Sequence, residues 1–269
     1  MSMSSYLIAR SQGADMIALP VFPSRRLFQT ELSYHADSGI AKPEDLAGKR
    51  LGVAEYQQTA ALWIRGILEH DFGVSQYKIH WYMERSEEMS HGSATGFKPP
   101  PGISFNRIAA NKSLASTLLE NELDVAHIAS PWVLQANALD RSARIAGRGD
   151  WSKIKPLFLD RMSEGARFFN NRGDIYKKYP LAAFNLCTGF LKAKALAHEK
   201  LSERIPTALF FGPEYAAMTR ELIGEDPFPY GIKANQAMLD TIIGYSHEQG
   251  LTPRKMEVKE LFAESTLEL

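Results

Sequence analysis

The run Lys49-Arg50-Leu51-Gly52-Val53-Ala54-Glu55-Tyr56-Gln57-Gln58-Thr59-Ala60-Ala61-Leu62-Trp63-Ile64-Arg65-Gly66 changes its hydrophobic period part-way along. Leu51 to Ala54 form a short apolar run behind a basic pair. From Thr59 onward Ala60, Leu62, Trp63, Ile64 and Ile67 recur at helical spacing, so the run reads as a buried strand feeding a helix. A helix N-terminus carries unpaired N–H groups and about half a unit of positive charge, which attract a carboxylate or phosphate. Tyr56, Gln57, Gln58 and Thr59 stand at that mouth with side chains able to hydrogen-bond a small ligand. A purely structural reading has Thr59 capping the helix and Leu62 and Trp63 filling the core. At this point both readings stand.

Composition narrows the classes. A chain of 269 residues with 45% hydrophobic residues builds one large domain or two modest ones. Lys plus Arg and Asp plus Glu balance at 31 each, which removes the basic footprint of a nucleic-acid binder, and no polybasic cluster addresses a membrane. The single cysteine, Cys187, allows no internal disulfide framework and no thiolate cluster for zinc. Met1 to Arg10 lacks a basic segment followed by a long apolar one, and no run is long enough to span a bilayer. As written, the chain is expected to be cytoplasmic.

Outward from Lys49, Ser4 to Arg10 reads as helical, Asp15 to Phe22 as a buried strand broken by Pro20, and Phe28 to His35 as a second strand. Ala41 to Leu46 places Pro43 in a first helical turn. Past Gly73, Gln76 to Arg85 alternates Ile79, Trp81 and Met83 with His80, Tyr82 and Glu84, the mark of a half-buried strand. Ser90 to Gly102 is a loop by composition. A short strand is expected over Ile103 to Ile108, a helix over Ser113 to Asn121, a strand over Val125 to Ile128 and a helix from Ser130-Pro131 to about Asp140. Such alternation predicts a doubly wound α/β domain with a mostly parallel sheet. After a basic connection from Ser142 to Arg172, helices are expected over Pro180 to Ile205, Pro213 to Gly224 and Ile232 to Gln249, the last closed by Gly250. Supplying almost no strands, this second half is expected to pack on the first segment, making that domain discontinuous.

The sequence has no H-E-x-x-H, C-x-x-C, P-loop, G-x-G-x-x-G or G-x-S-x-G motif, so neither a metal nor a nucleotide cofactor is expected. What remains gathers at predicted strand ends: Glu55 with Tyr56, Glu84 with Arg85, His91 in the Gly/Ser loop, and Ser130. Arg85 ends a strand whose neighbour ends at Glu55, so both reach one crevice at the C-terminal edge of the sheet, where α/β folds bind ligands. Its planar fork suits a carboxylate, although a surface ion pair with Glu84 or Glu87 would also account for it. His91 is the histidine suited to proton transfer, or else a solvated loop residue. Arg65 stands further along the helix, where a ligand-binding and a structural role are both open.

Several blocks carry a family resemblance: Phe22-Pro23-Ser24-Arg25, the run from Lys42-Pro43-Glu44-Asp45-Leu46 to Arg65-Gly66, the His91 to Pro101 loop, Asp226-Pro227-Phe228-Pro229-Tyr230-Gly231, and Tyr245-Ser246-His247-Glu248-Gln249-Gly250-Leu251. In these the chain resembles the 4,5-dihydroxyphthalate decarboxylase family, which is similar in fold to type II periplasmic binding proteins. The resemblance implies a two-lobed α/β fold, with residues 1–36 and 176–269 forming a discontinuous lobe I and 37–175 forming lobe II with its basic return connection. Family members begin with a further strand and helix, so the resemblance also implies a shortened first lobe. It further implies a return strand between the lobes, whereas Phe168 to Asp174 reads as passing straight through without one. An incomplete sheet would favour association with a second copy.

The function implied is loss of CO₂ from a hydroxylated aromatic dicarboxylate, of the 4,5-dihydroxyphthalate to protocatechuate type, within aromatic catabolism. On that reading His91 and Tyr56 are the catalytic candidates, and Gln57, Gln58, Thr59, Arg85, Arg65 and Ser130 hold the small aromatic carboxylate. The competing reading is a solute-binding protein or sensor for a similar ligand without chemistry, since one fold serves both.

Overall fold

A computed structural model describes residues 1–26, 28–86, 88, 90, 92, 95, 97–128, 153–157, 165–167, 170–203, 219–221 and 224–269. In chain order its elements are α1 (Met3–Ser11), β1 (Met16–Ala18), β2 (Ser24–Arg26), β3 (Leu32–His35), β4 (Arg50–Val53), α2 (Thr59–Phe72), β5 (His80–Met83), β6 (Ser104–Arg107), α3 (Leu114–Leu119), β7 (Val125–His127) and β8 (Ile154–Pro156). They continue with β9 (Gly165–Arg167), β10 (Asn170–Arg172), α4 (Gly173–Lys178), α5 (Pro180–Glu203), α6 (Gln236–Glu248) and α7 (Val258–Leu261).

Six strands form one sheet in the order β6-β5-β4-β7-β3-β8. The run from β6 to β7 is parallel, as the alternating pattern predicts, but β3 lies antiparallel to both β7 and β8, so the sheet is mixed. The strand expected over Phe28 to His35 begins only at Leu32, because Phe28–Glu31 winds into a 3₁₀ turn. The Pro43 segment is likewise a 3₁₀ turn, with the Asp45 carboxylate accepting from the N–H groups of Ala41 and Lys42. Through β3, the sheet draws in residues ahead of position 36.

Each face of the sheet has its own core. On one side Leu51, Val53, Trp81, Met83 and Val125 pack with α1, α2 and α6 through Tyr6, Leu62, Ile64, Leu239 and Ile243, all buried. On the other, Ala126 and Tyr82 meet Leu114, Leu118 and Leu123 at α3. Helix α2 buries ten of its residues, including Arg65, and approaches α6 so closely that a Cβ on Gly66 would stand 2.1 Å from the Tyr245 ring. Arg50 fixes the register of β4: its N–H and guanidinium donate to Asp124, just ahead of β7, at 2.7 to 3.1 Å.

Where the sequence suggests that Phe168 to Asp174 passes through without a strand, β10 pairs antiparallel with β1, and just ahead of that segment β9 pairs antiparallel with β2. These segments are only three residues each, too short to show an alternating pattern, and their partners lie far away in sequence. Two backbone ladders therefore join the early chain to the return segment. The C-terminal region closes onto the same early chain: Tyr6 Oη accepts from the Ala18 N–H and donates to the Leu261 carbonyl, and the Ala263 N–H donates to the Ala18 carbonyl.

Helix α6 starts at Gln236 rather than Ile232, and Gly250 follows it with φ +73°. Cys187 is buried against Leu19, Val21 and Ala263, and burial pushes its thiol up to about 11. The helix expected from Ser130 to Asp140 and most of the one over Pro213 to Gly224 lie outside the described residues.

Candidate functional site

The C-terminal ends of β4, β5 and β6 converge on a cavity of about 660 Å³ lined by Gln57, Met83, Ser90, Gly92, Phe97, Pro99, Phe105, Asn106 and Arg107. Strand register sets this up. Val53 pairs with Met83 and Met83 with Arg107, so one row across the sheet ends beneath the opening. The chain leaving β4 then turns through Ala54 to Gln58 into α2, whose N-terminal N–H groups lie just beyond Gln57.

The turn is held by polar side chains. The Glu55 carboxylate is buried; it accepts from Gln57 Nε2 at 3.1 Å and stands 3.3 Å from the Arg85 guanidinium, itself about one-third exposed. Arg85 thus stands beside Glu55, as its place at the strand end predicts, while Glu84 turns away and accepts from the Leu114 N–H at the start of α3. Gln57 Nε2 also donates to Ser90 Oγ at 3.3 Å, tying the turn to the loop. Gly92 passes so close that a Cβ there would come within 3.1 Å of Gln57 Nε2, which explains a glycine at that point. Arg107, which lines the cavity, donates to the Arg85 backbone carbonyl.

Tyr56 is the hub beneath this cavity rather than part of its lining. Its ring meets Trp81 at 5.5 Å, Phe97 at 6.1 Å and Phe105 at 5.7 Å between centroids, and its hydroxyl donates to Gln76 Oε1. Burial raises its phenol above the usual range. The Arg65 guanidinium lies 3.7 Å above the other face of the same ring, donates to the Tyr56 carbonyl and to Gln249 Oε1, each at 2.7 Å, and is 1% exposed. Burial pushes it down to about 10, which leaves it charged at neutral pH. Gln249 Nε2 returns a bond to the Leu62 carbonyl, so Arg65 clasps α2 to the end of α6.

Gln58 is the N-cap of α2 without a side-chain cap bond. Thr59 Oγ1 does not cap the helix either; it accepts from the Ser4 N–H at 3.1 Å and lies 3.1 Å from Ser4 Oγ, joining the N-termini of α1 and α2. His91 and Ser130 lie outside the described residues. Of the sequence candidates, Gln57 lines the cavity, Arg85 lies outside that lining in an ion pair with Glu55, and Tyr56, Thr59 and Arg65 are in buried contacts.

Arg107, Asn106, Phe97 and Phe105 escaped the sequence reading. A strand at Ile103 to Ile108 was legible, and assigning its C-terminal end to the same sheet edge would have pointed to Arg107. Also unforeseen is a pair one strand further along, where His127 Nε2 lies 2.8 Å from Glu31 Oε2. Among the described residues no group of three His, Cys, Asp or Glu side chains gathers to hold a metal ion.

A protein of Comamonas testosteroni named 4,5-dihydroxyphthalate decarboxylase is 30% identical to this chain over 283 residues, spanning 100% of this chain and 82% of that protein. The chain belongs to the 4,5-dihydroxyphthalate decarboxylase family. A Pseudomonas putida protein of the same name is 36% identical over 125 residues, 46% of this chain and 48% of that protein. No family model matches the chain. Among solved structures, the Escherichia coli periplasmic aliphatic sulphonate binding protein SsuA superposes with TM-score 0.50 at 14% identity, over 98% of this chain and 78% of that one. The desulfurization enzyme DszB does so with TM-score 0.50 at 11% identity, over 99% and 82%. At these identities the likeness speaks for the fold, which is type II periplasmic-binding-protein-like, and a binding protein and an enzyme share it. No helix among the described residues is long and apolar enough to cross a membrane.

Proposed function

We propose that the chain decarboxylates a hydroxylated aromatic dicarboxylate of the 4,5-dihydroxyphthalate type, giving protocatechuate and CO₂, as a cytoplasmic step of aromatic catabolism. Family membership supports the reaction class. The observation that carries the reading to this site is the pairing, in one cavity, of an aromatic wall, Phe97 and Phe105, with the cationic Arg107 of the lining, whose neighbour Arg85 pairs with Glu55 next to that lining. A benzene ring with two carboxylates needs both: flat apolar surface for the ring and planar N–H forks for the anionic groups.

Decarboxylation moves the electrons of the broken C–C bond onto the ring, and a proton must reach the carbon that CO₂ leaves. The retained carboxylate is held by Arg107 and Arg85, with the N–H groups at the start of α2 adding positive potential. Glu55 fixes the Arg85 fork, and Gln57, Ser90 and Asn106 provide hydrogen bonds for the ring hydroxyls. Met83 and the phenyl walls give the departing carboxylate a low-polarity seat, where its charge is poorly solvated and its loss as neutral CO₂ is favoured. Tyr56 and Arg65 act from behind, by holding the aromatic wall rigid. His91 lies between Ser90 and Gly92 in sequence and Ser130 three residues after His127; a role for either is tested by replacement with alanine.

Incubation of the purified chain with 4,5-dihydroxyphthalate is expected to release protocatechuate, with Arg107→Ala losing most of the turnover. Thermal stabilisation by the compound without product would select the solute-binding reading instead.

A further inference from the structure

We propose that His127, oriented by Glu31, is the proton donor to the ring carbon that loses CO₂; this rests on the decarboxylase reading above. His127 ends β7. The register Leu51 to Val125 and Gly52 to Ala126, continued by one residue, sets His127 level with Val53, in the cross-sheet row whose far members Met83 and Arg107 line the cavity, His127 itself standing outside that lining. At the ~4.8 Å spacing of neighbouring strands, His127 lies two strands, roughly 10 Å, from Met83. Side chains in one row of a parallel sheet point to one face, and the contact of the His127 ring with Phe28, at 6.4 Å, places it on the α2 side.

The environment of the ring is that of an oriented acid. Glu31 comes from the turn ahead of β3, and because β3 runs antiparallel to β7, with Leu32 opposite His127, the carboxylate is brought to the end of β7. Both side chains are largely buried, 12% and 9% exposed, and Nε2 is the nitrogen that Glu31 holds. Nδ1 makes no hydrogen bond among the described residues. A carboxylate on one ring nitrogen fixes the orientation of the ring, leaving the other nitrogen to exchange its proton with a substrate. The step balances: Nδ1–H of the imidazolium passes its proton to the substituted ring carbon, the bond to the carboxylate breaks, its electrons restore the aromatic ring, and CO₂ departs. His127 is left neutral and takes a proton back from water. Glu31 is the positioning residue.

The test is steady-state turnover of 4,5-dihydroxyphthalate by the full chain carrying His127→Gln, Glu31→Gln, Glu31→Asp or His91→Ala. His127→Gln is expected to lower kcat about 100-fold, at the low end of what general acids contribute, with KM within about threefold of the parent. Glu31→Gln should lower kcat about tenfold at unchanged KM, and Glu31→Asp should recover part of that loss, which a merely structural role would not produce. A His127→Gln protein with kcat within threefold of the parent, or loss of turnover in His91→Ala alone, overturns the proposal while leaving the decarboxylase reading intact. A parent that binds the compound and forms no product overturns both. Should His127→Gln fail to fold, Glu31→Gln decides by the same measure: unchanged kcat overturns the proposal.

Discussion

Arg65 stands inside the run that carries the family pattern and Arg85 at the end of the next strand, and the fold treats them in opposite ways. Arg65 is sealed between the Tyr56 ring and the end of α6, donating to the Tyr56 carbonyl and Gln249, and its Nη2 is buried without a hydrogen bond among the described residues. Arg85 is partly exposed, with its charge beside the buried Glu55 carboxylate. A guanidinium that faces the interior organises the wall of a site. One that is partly exposed is available to a ligand. The same residue type therefore contributes to stability in one place and to recognition in the other, and substitutions separate the two.

The largest effect is expected at Arg65. Arg65→Ala removes the donors to the Tyr56 carbonyl and Gln249 and leaves a void under an aromatic cluster, which should cost about 3 kcal/mol or more, read as a lowered urea midpoint. The folded fraction should still bind 4,5-dihydroxyphthalate; an unshifted midpoint with lost binding would reverse the assignment of the two arginines. Gly66→Ala, one residue on, probes the same clasp without touching any polar group. Its methyl would collide with the Tyr245 ring at the α2 to α6 contact, so a loss of roughly 1–3 kcal/mol is expected from overpacking, and full stability would show that the contact can open freely.

Arg85→Lys keeps a positive charge beside Glu55 but loses the planar fork. Calorimetric titration with 4,5-dihydroxyphthalate should show affinity about tenfold weaker, near 1.4 kcal/mol, with little change in melting temperature. A falling melting temperature at constant affinity would make Arg85 a second Arg65.

A third arginine gives the smallest effect and a calibration of what surface pairing contributes. Arg254 donates through both Nη atoms to Glu260, whose carboxylate also accepts from the Glu257 N–H; these bonds hold it down to about 2. Because the folded form binds its proton less readily than the unfolded chain, this contribution is present above pH 4.5 and is lost as pH falls toward 2. Arg254→Met should flatten the dependence of stability on pH in that window by lowering stability slightly above pH 4.5 and leaving it unchanged near pH 2, a small effect because the pair is solvent-exposed. An unaltered acid limb would show that the backbone N–H alone sets the shift.

Much of this was legible before any coordinates. The change of period at Val53 to Thr59 marks β4 and α2, the alternation through Ile79, Trp81 and Met83 marks β5, and the strand-end positions of Glu55 and Arg85 anticipate their meeting. Local periodicity reports such features because burial of one face acts within a few residues of chain. The ladders β1 with β10 and β2 with β9 were invisible because strands of three residues have no period, and their stability comes from partners about 140 residues away. The antiparallel insertion of β3 was equally hidden, since nothing in Leu32 to His35 encodes the direction of its neighbours.

By itself, then, the sequence determined that the chain is an α/β protein, which residues form its central strands and first helices, and which family it belongs to, because hydrophobic period and family blocks are properties of neighbouring residues. Only the tertiary structure decided that Arg65 is a buried clasp while Arg85 is partly exposed beside Glu55, that Phe97, Phe105 and Arg107 furnish the cavity, and that Glu31 meets His127. These are outcomes of strand register and helix approach, which bring together groups separated by tens to hundreds of residues, and no pattern along the chain specifies the face on which a charged side chain will emerge.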